Sequence, residues 1–204
     1  MKKSFVSISI VLLMCLFAGF TSIETKAATV ATFADPSRNS DYPLFTVDFT
    51  EMTLNGRWDS TGLLLYIYGN PFADTWFEMT EVDIIDTFGN TDGGEINFYA
   101  NGTSTNPLLV INFESGYVDT FNFGADEFWG ENVTISGSQI AGALLEEQFS
   151  FAFANLAHLE GSQSWTDGFT ATAVLTSSAT VVPEPATVCI LGLGALSLIR
   201  RKNN

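Results

Sequence analysis

The sequence predicts an all-β fold, an antiparallel β-sandwich of jelly-roll type. Three observations predict it. Along the middle of the chain apolar and polar residues alternate with a period of two, as half-buried strands require. The alternating segments are short and are separated by Gly, Asn, Asp and Pro clusters at spacings of about ten residues, the pattern of many antiparallel strands. Eighteen Phe, 17 Gly and a hydrophobic share of 46% supply a packed core and argue against a disordered chain. The two ends differ in kind, each carrying an apolar run: a signal-peptide helix before the sandwich and a transmembrane helix after it.

In chain order, Lys2 and Lys3 precede an apolar stretch from Phe5 to Phe20, and Thr25 and Ala27 put small residues at the −3 and −1 positions before Ala28. That layout is a secretory signal peptide over residues 1–27, cut between Ala27 and Ala28, with a cut after Ala31 as second choice. An uncleaved anchor fits less well, because the run is short for a spanning helix. Cys15 stands where a lipidated cysteine would, but Met14 is too large for the preceding position and apolar sequence continues past it. The other cysteine, Cys189, lies in the C-terminal apolar run, so residues 28–182 hold neither disulfide nor thiol nucleophile.

Residues 28–175 read as the sandwich. Phe45, Val47 and Phe49 alternate with Thr46, Asp48 and Thr50. Further strands are expected over 62–68, 76–85, around Ile96 and Phe98, and over 108–113, 117–123, 133–135, 149–153 and 169–175, with Gly-, Asn- and Pro-rich turns between them. Residues 138–147 depart from the pattern. Ile140, Leu144 and Leu145 follow Ser138 at helical spacing and predict one short helix, weakened by Gly142. Residues 176–182 turn to Ser, Thr, Ala and Val and read as an extended linker.

The charge is uneven. Between residues 28 and 182 two arginines, Arg38 and Arg57, face 21 carboxylates. Such a surface repels nucleic acid phosphates and anionic lipid headgroups, which excludes nucleic acid as a partner, and its self-repulsion favours solubility. The basic residues gather at the ends: Lys2, Lys3 and Lys26 in the leader, Arg200, Arg201 and Lys202 in the tail.

The tail is the most specific feature. Pro183, Glu184 and Pro185 are followed by an apolar run over 186–199, then by the basic cluster Arg200, Arg201 and Lys202 and two asparagines. This order resembles the PEP-CTERM sorting domain. The resemblance implies an exported protein whose Pro183-Glu184-Pro185 motif is read and cut by an exosortase. It further implies export through the secretion machinery and signal peptidase, a transient membrane tether over 186–199, and a basic stop over 200–204. Relatives of this kind are often surface or extracellular components of bacteria that make exopolysaccharide. Fourteen residues of helix span about 21 Å against a hydrocarbon core of about 30 Å. The run is therefore marginal as a permanent anchor, which suits a tether that is cut. Pro183 and Pro185 lack amide donors and hold the chain extended, the form that most proteases accept. Basic residues stay on the cytoplasmic side, so both chain ends remain inside and the acidic domain outside, with the final destination the cell surface or the extracellular space.

Few residues offer chemistry. His158 is the single histidine; without a second histidine or a cysteine the usual zinc sites are excluded, and His158 lacks the context of a catalytic triad. Neighbouring acids occur at Asp126-Glu127 and Glu146-Glu147, but adjacent residues of a strand point to opposite faces and glycoside hydrolysis needs two carboxylates across one bond. Asp86, Asn90, Asp92 and Glu95, among Gly89, Gly93 and Gly94, gather oxygen ligands that a calcium ion would use, though their spacing is not that of an EF-hand; an acidic hairpin loop reads the same residues without metal. No other cofactor is expected. Trp58, Trp76, Trp129 and Trp165 are candidates either for the core or for stacking on sugar rings. Trp129, with Asp126 and Glu127 beside it, is the most suggestive ligand-binding position.

Two readings of the exported domain follow. One is a non-catalytic surface or matrix protein associated with polysaccharide. The alternative is a secreted hydrolase acting on polysaccharide. A flat acidic surface with the tryptophans buried favours the first, and a pocket with two converging carboxylates flanked by exposed tryptophan favours the second.

Overall fold

The computed structural model describes residues 27–33, 43–101, 103, 105–119 and 127–182. They form twelve strands: β1 (Ala27–Phe33), β2 (Phe45–Asp48), β3 (Thr53–Trp58), β4 (Leu65–Ile67), β5 (Asn70–Phe72), β6 (Trp76–Asp83), β7 (Asn90–Tyr99), β8 (Leu109–Val118), β9 (Glu127–Glu131), β10 (Thr134–Ser136), β11 (Ala143–His158) and β12 (Gly168–Val182). The leader before Ala27 and the run over 186–199, both expected as helices, lie outside the described residues. Among those described, no helix is long and apolar enough to cross a membrane.

The all-β antiparallel expectation holds, but the jelly-roll sandwich does not. From β12 the pairing runs through β2, β3, β6, β7, β8, β9 and β11, and β11 pairs back onto β12. Eight antiparallel strands thus close into a barrel. Closure gives the ring no free edge, which an open sandwich would have to protect by other means.

The long β11–β12 hairpin explains the closure. Its register shifts twice, between Leu145 and Gln148 and between Ala154 and Ala157. Within those bulges Glu146 and Asn155 take left-handed φ of 53° and 48°. A bulge adds an unpaired residue to one strand and increases local twist. Two of them coil the ribbon enough to meet both sides of one ring. Asn155 is held in place as its Nδ2 donates to Thr172 Oγ1 at 3.0 Å, while Glu146 Oε2 accepts from Thr180 Oγ1 at 3.1 Å.

Two expectations for this region are corrected. Residues 138–147 form no helix; β11 begins at Ala143, and the helical spacing of Ile140, Leu144 and Leu145 loses to backbone pairing with β12. Residues 176–182 are no linker but the second half of β12, paired with β11 on one side and β1 on the other. Their small side chains have a packing reason. β1 carries its own bulge between Thr29 and Ala31, and buried Ser177 satisfies the freed backbone: its Oγ accepts from Ala31 N at 2.9 Å and donates to Ala31 O at 3.3 Å.

β12 divides its outer edge between two partners. Residues 168–171 pair with β2 and residues 175–180 with β1, which in turn carries β4 and β5. β1 also fills the barrel. The ring of Phe33 lies 5.9 Å from Phe77 and from Phe151 and 6.0 Å from Phe98. Phe45, Phe128 and Phe149 extend the network across the interior. The rings pack so closely that Gly130 has no room for a side chain: a Cβ there would stand 2.6 Å from Phe149 and 2.8 Å from Phe113. Outward positions are polar; on β6, Glu78, Thr80, Glu81 and Asp83 are exposed between buried Phe77, Met79 and Val82. A membrane-spanning barrel has the reverse pattern, apolar outside and polar within.

Candidate functional site

β9 lies between β8 and β11, and its alternation sets the site. Phe128 points into the core and is fully buried, whereas Trp129 is only half-buried. In the ladder Trp129 stands opposite Tyr117 of β8 and Ser150 of β11, and Ser150 stands opposite Thr176 of β12. This row lies on the outer face. The Tyr117 and Trp129 rings are 5.6 Å apart and inclined by 38°, so one aromatic supports the other. A groove of about 630 Å³ runs beside Trp129 across β9, β11 and β12.

The polar groups of the groove come from both sides of Trp129. Glu127 is two residues away on the same strand face. Glu131, on the other side, accepts from Ser115 Oγ through Oε2 at 3.3 Å. Glu147, released from the β11 ladder by the bulge, accepts from Ile135 N through Oε2 at 2.8 Å. Ser150, Thr176 and Ser178 form a hydroxyl floor. Glu147 also faces Tyr68, whose pKa lies above the ordinary tyrosine value, first through burial and second through the Glu147 charge.

Of the sequence candidates, Trp129 and Glu127 therefore meet in one groove, while Asp126 lies outside the described residues. Sequence reading missed Tyr117, Ser150 and Thr176. They arrive from other strands through non-local pairing, and only the register brings them together.

The remaining candidates are dispersed. Trp165 is exposed in the β11–β12 connection, and its ring lies 4.0 Å from that of His158. Trp58 is buried and Trp76 half-buried; both line a smaller recess of about 160 Å³ with Glu78 and Tyr99. There Tyr99 donates to Glu78 Oε1 at 3.1 Å, and burial first, then that bond, raises its pKa. Arg57 pairs with Asp59 at 2.9 Å on the exposed rim. Glu146 and Glu147 turn to different partners, Thr180 and the Ile135 amide.

The proposed calcium ligands do not converge. Among the described residues no group of three or more His, Cys, Asp or Glu is arranged to hold a metal ion. Asp86 instead organises the turn into β7: its carboxylate accepts from Phe88 N at 2.9 Å, Asn90 N at 3.1 Å and Asn90 Nδ2 at 2.7 Å. Glu95 accepts from Asn97 Nδ2 at 2.6 Å. The Asn90 side chain, then the backbone amides, hold the Asp86 pKa below the ordinary carboxylate value against an opposing desolvation. Since the folded value is the lower one, the bond strengthens the turn above the unfolded pKa and is lost as pH falls through the folded one. Asn90→Ala is expected to move the Asp86 pKa upward, read by NMR titration of its side-chain carbonyl. An unchanged value would remove Asn90 as the cause.

The tail residues Pro183, Glu184, Pro185, Arg200, Arg201 and Lys202 lie outside the described residues, but comparison with known families bears on them. The family model described as the PEP-CTERM protein-sorting motif matches residues 181–202. This chain carries a PEP-CTERM sorting motif. Its first two matched residues, Val181 and Val182, are the last of β12. An exosortase is thereby its processing partner, and the protein is exported toward the cell envelope or surface. No curated protein and no solved structure matches the chain.

Proposed function

We propose that the protein is a non-catalytic component of the cell surface or extracellular matrix, associated with polysaccharide and delivered by two signals that act from one pole of its barrel. The observation that carries the two-signal delivery is the pairing of the chain ends, and the groove beside Trp129 supports the polysaccharide association. Ala27 opposes Thr180, and Val182 opposes Ala143. The leader therefore joins the barrel beside the point where the sorting motif leaves it.

Lys2 and Lys3 at one end and Arg200, Arg201 and Lys202 at the other favour the same, cytoplasmic side. The precursor then hangs outside the inner membrane by both ends. Residues 183–185 span at most about 10 Å when extended, so the pole stays close to the membrane until the chain is cut. The fold also favours the first signal-peptidase site. A cut between Ala27 and Ala28 leaves β1 nearly whole, whereas a cut after Ala31 removes Val30 and Ala31, both buried, and the bulge that Ser177 caps.

Replacing Pro183, Glu184 and Pro185 by alanine in the native host tests the reading. Intact mass is expected to show a wild-type protein that begins at Ala28 and lacks residues 200–204, and a variant that keeps those residues and stays in the membrane fraction. A wild-type mass that includes Arg200 to Asn204 overturns the reading.

A further inference from the structure

We infer that the groove beside Trp129 is a binding site for a neutral polysaccharide, with Trp129 as the stacking platform. The inference deepens the proposed association with polysaccharide, yet binding itself does not depend on how the protein is sorted. A pyranose ring has one apolar C–H face and a rim of hydroxyls. It needs an aromatic plate, acceptors around it, and space for a chain to pass.

The groove supplies all three. Trp129 lies on the outer face and is flanked on the neighbouring strand by Tyr117, ring centroids 5.6 Å apart. Glu127, Glu131 and Glu147 stand around it as acceptors. Among the described residues Glu131 and Glu147 engage donors through Oε2, which leaves Oε1 to face an incoming hydroxyl. A carboxylate accepting from a neutral hydroxyl makes a charge-assisted bond, stronger than one between neutral groups. Thr176 is exposed on the floor, and the volume of about 630 Å³ across β9, β11 and β12 falls within the range of small-ligand sites.

Charge selects the class of polymer. Among the described residues Arg57 is the one lysine or arginine, against 18 carboxylates. Three of those carboxylates line the groove. A polymer of uronic acids or sulfated sugars would bring like charge against them. An uncharged polymer offers the same donating hydroxyls without that barrier.

The test uses the processed protein purified from the native host, with a panel of immobilised polymers: a β-glucan, a mannan, a galactan and a xylan, with alginate as the anionic control. Binding to at least one neutral polymer is expected, unchanged between low and high salt, with alginate unbound. Trp129→Ala is expected to weaken binding roughly tenfold or more, the loss typical of removing an aromatic anchor. Thr176→Arg, which fills the floor from an exposed position, should do the same with an unchanged unfolding midpoint. Trp165→Ala, on a distant loop, should bind as the wild type does. Failure of every neutral polymer to bind overturns the inference, as does binding that survives both groove substitutions. Salt-sensitive binding, or binding to a basic protein alone, identifies a charged patch instead and overturns it equally.

Discussion

Phe151→Ala is expected to lower the free energy of unfolding by about 3–5 kcal/mol, the range for removing a buried aromatic ring. Phe151 is fully buried. Its ring lies 4.8 Å from Phe45, 5.8 Å from Phe149, 5.9 Å from Phe33 and 6.3 Å from Phe128. Those four rings come from β1, β2, β9 and β11. Removing the central one therefore opens a cavity that no single neighbour can fill, because each is fixed by its own strand. A typical domain has about 5–15 kcal/mol in all, so the loss is a large fraction of the total. Urea denaturation reads it as a lower midpoint at constant slope. The adjacent Ser150→Ala, on the outer face, should change stability by no more than about 0.5 kcal/mol. A loss below about 1 kcal/mol for Phe151→Ala would mean that the interior is not an interlocked aromatic core.

How far the sequence was legible follows from the same geometry. Local alternation carries information about which face a residue occupies, and it located β2 from Phe45 and Val47 and β6 from Trp76 onward with little error. Closure is not local. It depends on which distant strands meet and on bulges at Glu146 and Asn155, where non-glycine residues adopt a backbone that composition does not advertise. The same limit applies to the site. Trp129, Glu127 and Glu131 were visible because they share one strand, whereas Tyr117, Glu147 and Thr176 converge with them only through the registers of β8, β9, β11 and β12. The calcium candidates illustrate a related limit: Asp86 and Asn90, close in sequence, bond to one another in the turn, as the hairpin-loop reading of the same residues has it.

Residues 176–182 show the most consequential misreading. A run of Ser, Thr, Ala and Val between a domain and a sorting signal has the composition of a linker. In the barrel it alternates instead, with Ser177 and Ala179 inward and Thr176 and Ser178 on the outer face. Small inward residues suit a stretch that is paired on both sides and must admit the β1 bulge.

A chain ending at Val182 is accordingly expected to keep the unfolding midpoint of the processed protein, whereas one ending at Leu175 should show no cooperative transition. The shorter chain loses the backbone pairing of residues 176–182 with Ala143–Ser150 on one side and with residues 27–32 on the other. Its β1 would keep only the Phe33–Leu175 pair on that side, and the donors and acceptors stranded on both strands would each cost on the order of 1–3 kcal/mol where water cannot reach them. Buried Ala179 and Thr180 go as well. Circular dichroism during thermal unfolding of both chains, exported behind the same leader, makes the comparison. An equal midpoint for the chain ending at Leu175 would restore the linker reading. The expected result constrains processing too. Proteases take extended, unpaired substrate, and pairing continues to Val182, so a cut that releases an intact barrel has to fall beyond it, at the Pro183-Glu184-Pro185 motif or later.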